Sequence, residues 1–202
     1  MKHGLLALSI LGLCAAASSH AESFSTYGPI YASYKQSPAK GGGCVSGSIG
    51  TEGPNNAYSS IVFVSEANAD STLKQGSFGY ARGGSKNDFA PRLSAFTVCL
   101  KPGRYRIFGI STNNVYSTQR VAMPFEVVAG RNVYLGRFVF QGPGSRPQCQ
   151  QGAPVYVTVS DEFERDSAAI QKHPQAARLP LDKQVVDPVQ GAPYFVACAR
   201  GH

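Results

Sequence analysis

The fold of this chain is constrained most by a series of short β-branched and aromatic segments that are separated by turn residues. Residues 58–66 (Tyr-Ser-Ser-Ile-Val-Phe-Val-Ser-Glu) predict one strand, and residues 92–100 and 104–111 predict two more. Lys101, Pro102 and Gly103 lie between the last two, with a proline that presets φ and a glycine that accepts positive φ. We therefore expect these two strands to form a hairpin.

Further strands are predicted at residues 44–49, 76–82, 123–128, 133–140 and 154–159, with a last one at 194–199. The 22 glycines, 13 prolines, 10 tyrosines and 11 phenylalanines favour many short strands joined by tight turns. We predict a mainly β fold, a two-sheet antiparallel β-sandwich rather than a closed barrel, with one short helix at about residues 160–173.

Alternation within two of these segments predicts which side chains share a face of a strand. In residues 92–100, one face would carry Leu93, Ala95, Thr97 and Cys99, and the other Ser94, Phe96, Val98 and Leu100. In residues 133–140, one face would carry Tyr134, Phe138 and Phe140, and the other Val133, Leu135, Arg137 and Val139.

Residues 160–173 carry helix signals at both ends. Ser160 can cap the first turn, acidic residues follow it there, and Pro174 ends the segment. Arg165 lies among the acidic residues of this segment, which are Asp161, Glu162, Glu164 and Asp166. We interpret these charges as a solvated helix face, because neighbours on one exposed turn do not face each other across a cleft and the EF-hand spacing is missing.

The first 21 residues have the three-part layout of a secretory signal peptide. Met-Lys-His is followed by the apolar residues 5–17, and Ser19 and Ala21 place small side chains at −3 and −1 of a cleavage site after Ala21. One alternative stays open. Residues 11–14 (Leu-Gly-Leu-Cys) resemble a lipoprotein signal, in which Cys14 would carry the lipid. We expect a periplasmic or secreted protein, or an outer-membrane lipoprotein if Cys14 is acylated.

Cleavage after residue 21 would leave a flexible leader over residues 22–43, a β-sandwich domain over 44–159, and a short helix with a proline-rich tail and last strand over 160–202. The cysteines that remain are Cys44, Cys99, Cys149 and Cys198. In an oxidising compartment they predict two disulfides, whose pairing stays open. Spacings of 55, 50 and 49 residues without a C-x-x-C pair disfavour a zinc site, so no metal or other cofactor is predicted.

Charge and motif content argue against several functions. The net charge of +7 comes from scattered basic residues without a run of five or six, which argues against nucleic-acid binding. The chain has no G-x-S-x-G or H-E-x-x-H motif, and only His173 and His202 follow the signal, so we predict no catalytic residue. Tyr80 with Arg82 is a candidate face for binding a glycan or a protein partner.

Residues 96–107 (Phe-Thr-Val-Cys-Leu-Lys-Pro-Gly-Arg-Tyr-Arg-Ile) place a Pro-Gly-x-Tyr turn between apolar segments. This stretch resembles a segment of the carboxypeptidase regulatory-like and transthyretin-like β-sandwich domains. The element that follows, with Phe125, Val127, Gly130, Tyr134 and Leu135, is similar to a group of small bacterial envelope proteins and lipoproteins of unknown function. The resemblance covers about residues 93–140 and implies a sandwich scaffold without catalytic chemistry.

Export and this resemblance together predict a bacterial envelope protein that acts as a non-catalytic binding or assembly module. Its partner would be an envelope protein or a glycan, and it would contact a membrane only if Cys14 is lipidated. Two alternatives stay open: a hydrolase that acts on cell-envelope polymers, and a lipid-anchored structural lipoprotein.

Overall fold

A computed structural model of the protein describes residues 35–52, 59–68, 76–81, 92–112, 115–116, 121–141, 156–188 and 194–197. Their strands, in chain order, are β1 (Gly43–Glu52), β2 (Ser59–Ser65), β3 (Gly76–Ala81), β4 (Arg92–Leu100), β5 (Gly103–Thr112), β6 (Val115–Tyr116), β7 (Met123–Val127), β8 (Asn132–Gln141), β9 (Tyr156–Ser160), β10 (Leu181–Lys183) and β11 (Phe195–Ala197). The helix α1 (Phe163–Ile170) lies between β9 and β10. The predicted mainly β fold with one short helix is confirmed.

The strands form two sheets that pack face to face. The larger sheet has the order β11–β9–β8–β1–β4, and β10 pairs with β8 on the same side as β9. The smaller sheet has the order β3–β2–β5, and β6 and β7 both pair with β5. The larger sheet is mixed, because β1 and β10 run parallel to β8 and β11 runs parallel to β9. The prediction of two sheets is confirmed, and the prediction that both are antiparallel is wrong.

The parallel pairing of β1 with β8 arises because the chain between these two strands crosses from one sheet to the other. β4 belongs to the larger sheet and β5 to the smaller one, so Lys101 and Pro102 carry the chain between the sheets. The predicted hairpin is therefore wrong in its pairing, since a Pro-Gly turn reverses the chain without determining which strand becomes the neighbour. Tyr105 is buried beneath this turn, and its hydroxyl donates to the Lys101 carbonyl at 2.9 Å.

The core lies between the two sheets and is rich in aromatic side chains. Phe63, Tyr105 and Phe125 of the smaller sheet lie with ring centroids 5.5 to 6.0 Å apart. Phe96 and Phe138 of the larger sheet belong to the same core cluster, with centroids 6.3 Å apart. Each fully buried ring contributes roughly 1.5–3 kcal/mol by leaving water. The two sheets are therefore held together mainly by apolar burial.

Alternation predicts the core-facing side chains of β4 correctly and those of β8 incorrectly. In β4, Phe96 and Leu100 lie in the core, and Ala95 packs on the opposite face, as predicted. In β8, the side chains in the core are Val133, Leu135, Phe138 and Phe140. Tyr134 lies on the opposite face, so even-numbered residues face away from the core in the first half of β8 and towards it in the second half.

A β-bulge in β8 causes this exchange. β1 advances two residues from Ser46 to Ser48, whereas β8 advances three residues opposite them. Gly136 lies in the bulge with a φ of +119°, a conformation that favours glycine. On β1, a Cβ at Gly47 would lie 2.4 Å from the Gly136 carbonyl oxygen, so the close approach of the two strands requires glycine there as well. The bulge turns Tyr134 away from the core.

One disulfide joins the edge of the larger sheet to its centre. Cys44 of β1 and Cys99 of β4 lie directly opposite each other and are bonded. A disulfide is typical of an oxidising compartment, so this bond indicates a location other than the cytoplasm. Cys149 and Cys198 lie outside the described residues, as does the whole predicted signal segment.

The structure describes the end of the predicted flexible leader, and there the chain is bound to the sheet. Lys35 forms an antiparallel bridge with Leu100, and the Gln36 N–H donates to the Cys99 carbonyl at 3.3 Å. β1 then begins at Gly43. Because β4 is an edge strand of the larger sheet, its outward backbone groups can accept this short pairing.

The helix α1 is shorter than the predicted 160–173 segment. Ser160 is the last residue of β9 and pairs with Arg137, so it does not cap the helix. Glu162 is the N-cap residue, and the Asp161 carboxylate accepts the Phe163 N–H at 3.1 Å. Ser160 and Asp161 are both suitable capping types, and only the strand pairing of Ser160 excludes it from this role.

Candidate functional site

Polar side chains are buried on the outer face of the larger sheet, the face that points away from the core. Outward positions alternate with core positions along β1 and β4, and the bulge brings Tyr134 to the same face. We call this set the polar row: Ser46, Ser48, Thr97, Asn132 and Tyr134. Burial of hydroxyl and amide groups is unfavourable unless they find hydrogen-bond partners inside the protein.

Residues 161–188, which we call the strap, cover this face. The strap leaves β9, forms α1 and returns as β10 to β8, the strand with which β9 also pairs. Val186 of the strap belongs to the core between the sheets, and its other buried apolar contacts are a small cluster of Ala95, Tyr134, Ala169, Ile170 and Ala176. Because this patch is much smaller than the core between the sheets, polar contacts have a larger share in holding the strap.

Asp166 of α1 is the centre of the polar contacts and is only 1% exposed. One carboxylate oxygen, Oδ2, accepts hydrogen bonds from the Ser48 hydroxyl at 2.5 Å and the Tyr134 hydroxyl at 2.8 Å. The other, Oδ1, accepts bonds from Arg165 Nε at 3.0 Å and Nη2 at 2.5 Å. Four donors therefore surround one buried carboxylate, which is the arrangement that a buried charge needs.

Arg165 closes the cluster on the side of the solvent, with 35% of its side chain exposed. Its Nη2 also lies 3.4 Å from the Ser48 hydroxyl oxygen, and its Nη1 lies 3.8 Å from Oε2 of Glu162. Glu162 is buried, and its backbone N–H donates to the Tyr134 hydroxyl oxygen at 3.2 Å. The first turn of α1 is thus joined to the sheet through both side chains and backbone.

The Tyr134 hydroxyl is held in its neutral form. Burial raises its pKa well above the ordinary value of 10.0, and the negative charge and hydrogen bond of Asp166 raise it further. A phenol with such a pKa donates its proton to Asp166 in a hydrogen bond and does not act as a base near neutral pH. The Tyr134 hydroxyl is therefore a fixed link between β8 and α1.

A second group of polar side chains lies beside the first on the same face. The Ser46 hydroxyl donates to Oδ1 of Asn132 at 2.8 Å, and the Ser46 and Thr97 oxygens are 2.8 Å apart. Since a hydroxyl has one proton, Thr97 must donate to Ser46. This chain of bonds links the three strands β4, β1 and β8 across the outer face.

Two surface ion pairs involve the strap, one within it and one between it and Arg131. Lys183 Nζ bonds Oδ2 of Asp161 at 2.8 Å, and this contact lowers the pKa of Asp161 and raises the pKa of Lys183. Arg131 and Asp182 form the other pair, which lowers the pKa of Asp182. Both pairs are substantially exposed, so each contributes little to stability.

The prediction that the four carboxylates at 161–166 form a solvated helix face is wrong for two of them. Asp161 and Glu164 are exposed, whereas Glu162 and Asp166 are buried. The reason is tertiary, because the sheet beneath α1 supplies the donors that make a buried carboxylate stable. A sequence signal exists in the alternation of Ser46 and Ser48 with apolar residues of β1, but the same alternation is typical of a solvent-exposed face.

The cluster contains residue types found in hydrolytic sites, but here they are buried and bonded to one another. Ser48 is 3% exposed, and its hydroxyl donates to Asp166 rather than to a histidine. His173, the histidine of the described residues, lies after the end of α1, where its Nδ1 accepts the Gln175 N–H at 3.4 Å. Burial lowers the pKa of His173, so its imidazole is mainly neutral at neutral pH.

The structure describes only part of the remaining predicted site residues. Tyr80 belongs to β3, but its side chain is outside the described part of the structure, and Arg82 lies outside the described residues altogether. Within the described ranges, no group of three or more His, Cys, Asp or Glu side chains is arranged to hold a metal ion. None of the helices in those ranges is long and apolar enough to cross a membrane.

Comparison of the chain with protein-family models, with curated proteins and with solved structures found no match. The resemblance of residues 93–140 to carboxypeptidase regulatory-like and transthyretin-like domains therefore stays a prediction.

Proposed function

We propose that the protein is an exported, non-catalytic binding or assembly module of the bacterial cell envelope, built on a transthyretin-like or carboxypeptidase regulatory-like sandwich. The disulfide between Cys44 and Cys99 supports export, because such bonds persist in oxidising compartments. The layout of residues 1–21 supports it independently.

The single observation that carries the non-catalytic assignment is the closure of the cluster around Asp166. A catalytic carboxylate must reach its substrate, yet Asp166 is 1% exposed and its oxygens bond side chains of the protein itself. Such a cluster fixes the strap on the sheet. The protein then acts as a rigid scaffold that presents its loops to an envelope protein or a glycan, with the Tyr80 and Arg82 region as one candidate face.

Export and its form are tested by the mass of the product that the producing cell releases. We expect an unmodified chain that begins at Glu22, found in the periplasm or the medium. A product that begins at Cys14 and carries acyl chains would establish the lipoprotein alternative instead. A cytoplasmic product that retains residues 1–21 would contradict export in either form.

The hydrolase alternative is tested by incubating the purified protein with peptidoglycan and with other isolated envelope polymers. We expect no release of soluble fragments. Fragment release that is lost in Ser48→Ala, while the variant keeps the far-UV circular dichroism of the wild type, would contradict the non-catalytic assignment. A matched comparison is Ser46→Ala, which also removes a buried serine hydroxyl of β1.

A further inference from the structure

Three turns meet at one end of the sandwich, where the chain crosses between the sheets: residues 35–42, 100–104 and 127–131. The Gly130 N–H donates to the Gly42 carbonyl at 3.0 Å, which joins the first turn to the third. The bridge of Lys35 with Leu100 joins the first turn to the second. The first residue of β5 pairs with the last residue of β7, which joins the second turn to the third.

These turns carry basic side chains and no acidic ones. We call the surface that they form the lysine end, and its basic residues are Lys35, Lys40, Lys101, Arg104 and Arg131. The three lysines and Arg104 are exposed, and Arg131 is partly exposed. The strap differs, since residues 161–188 contain six acidic and four basic residues. Half of the 12 acidic residues of the chain therefore lie in the strap.

Carboxylates flank the lysine end without neutralising it. Glu66 bonds Arg104 at 3.3 Å, Asp182 pairs with Arg131, and Glu126 lies opposite Arg104 across β5 and β7. Five basic and three acidic side chains leave a net charge of +2. The three lysines make no ion pair with any residue that the structure describes. Their charges are directed at the solvent and available to a partner.

An exposed apolar side chain belongs to the third of these turns. Val128 is 42% exposed and is the one large hydrophobic side chain exposed among the described residues. Pro102 is exposed on the neighbouring turn. Basic side chains around exposed apolar groups are typical of surfaces that bind the interface of an anionic bilayer, where headgroups attract the charges and apolar side chains leave water.

We propose that the lysine end binds the anionic surface of a lipid bilayer, with its lysines at the headgroups and Val128 at the boundary of the acyl chains. A soluble anionic polymer would use the charges alone and give Val128 no gain. This inference rests on the proposed location of the protein in the cell envelope. It extends the sequence-based prediction, in which membrane contact required a lipid on Cys14.

The test uses the exported product that begins at Glu22 and measures its co-sedimentation with two kinds of vesicle. One is phosphatidylglycerol mixed with phosphatidylcholine, and the other is phosphatidylcholine alone. One variant combines Lys35→Gln, Lys40→Gln and Lys101→Gln, which changes the net charge of the lysine end from +2 to −1. The control combines Lys172→Gln, Arg178→Gln and Lys183→Gln, three exposed basic residues of the strap, and lowers the total charge equally. Every protein begins at Glu22, so the apolar residues 5–17 do not contribute to vesicle binding.

We expect the first variant to bind phosphatidylglycerol vesicles roughly 100-fold more weakly, about fivefold for each lysine near an anionic surface. The control should lose far less, and added salt should weaken the wild type more than the first variant. Val128→Ser should weaken vesicle binding and leave binding to dextran sulfate unchanged. Equal losses in the two triple variants, or equal binding to both kinds of vesicle, would overturn the proposal.

Binding to dextran sulfate without binding to vesicles would also overturn the proposal and assign the lysine end to a soluble anionic polymer. Export is measured separately, by the mass and location of the cell's product. Vesicle binding by a protein that is not exported would therefore overturn the proposed function alone. Export of a protein that does not bind vesicles would overturn this inference alone.

Discussion

The two faces of the larger sheet are both buried, but different physical forces hold what covers them. The inner face packs aromatic and aliphatic side chains against the smaller sheet, as Phe96 and Phe138 do. The outer face carries the polar row and is covered by the strap, whose Asp166 bonds Ser48 and Tyr134. Apolar packing is non-directional, whereas each bond of the outer face requires a donor and an acceptor at one distance and angle.

The two buried faces of the larger sheet therefore contribute differently to the fold. The inner face supplies most of the free energy of folding, because free energy follows the apolar area that leaves water. The outer face determines where the strap lies, because a shift of the strap would leave Asp166 and its donors buried without partners. Loss of one partner at the outer face should therefore cost more than the net strength of the bonds suggests.

The largest expected effect comes from Asp166→Ala, which removes the acceptor shared by Ser48, Tyr134 and Arg165. Breaking a buried charged pair typically costs about 3–5 kcal/mol, and we expect a loss in that range by urea unfolding. The matched control is Glu164→Ala, an exposed carboxylate of the same helix, with a change within about 0.5 kcal/mol. Equal effects of the two substitutions would contradict the central place of Asp166.

The disulfide between Cys44 and Cys99 lies at one end of the outer face and closes a loop with a sequence separation of 55. In the chain-entropy model such a crosslink stabilises by about 4 kcal/mol. Replacing both cysteines by alanine should lower the free energy of unfolding by up to that amount. A loss below about 1 kcal/mol would show that the sheet holds β1 and β4 together without the crosslink.

An intermediate effect is expected at the second polar group of the outer face. Ser46→Ala leaves Thr97 without its acceptor and Asn132 without its donor, at a cost of about 1–3 kcal/mol. The double variant with Thr97→Val should lose less than the sum of the single losses, because one unsatisfied hydroxyl disappears with the second change. Strictly additive losses would mean that the two hydroxyls do not interact.

The pH dependence of stability tests Tyr134. Its pKa is raised in the folded protein, so the stability that it contributes is fully present below its ordinary pKa of 10.0 and is lost as pH rises above that value. The slope is at most about 1.4 kcal/mol for each pH unit. Tyr134→Phe should be less stable at neutral pH and should show a smaller alkaline slope in urea unfolding. An unchanged slope would assign the alkaline loss to other groups.

The smallest effect is expected for the exposed pair of Lys183 and Asp161. Lys183→Ala should lower the free energy of unfolding only slightly, because water screens an exposed pair. Because Lys183 lowers the pKa of Asp161, the pair stabilises above the ordinary carboxyl pKa of 3.8, and this stability is lost as pH falls through the lowered value. Lys183→Ala should therefore flatten the acid limb of the stability curve, whereas Lys172→Ala should leave it unchanged. The same loss of stability at acid pH in the wild type and in Lys183→Ala would contradict a stabilising interaction between Lys183 and Asp161.

Part of the candidate site follows from local pattern and part does not. Alternation in β4 correctly separates Phe96 from Ala95, because an uninterrupted strand keeps a period of two. In β8 the same rule misplaces Tyr134, since the extra residue at the bulge shifts the period. Gly136 and Gly47 are visible in the sequence, but their role depends on two strands that meet only in the fold.

The sequence by itself determined the mainly β class, the two sheets and a helix near residue 165. These features depend on near neighbours in the chain, through period, turn chemistry and the burial of apolar side chains. Only the tertiary structure decided that β4 and β5 lie in different sheets, that Cys44 bonds Cys99, and that Asp166 is buried. Each of these features depends on partners that are distant in the chain. The local sequence around a polar residue is the same whether its hydrogen-bond partner is water or a distant donor of the protein.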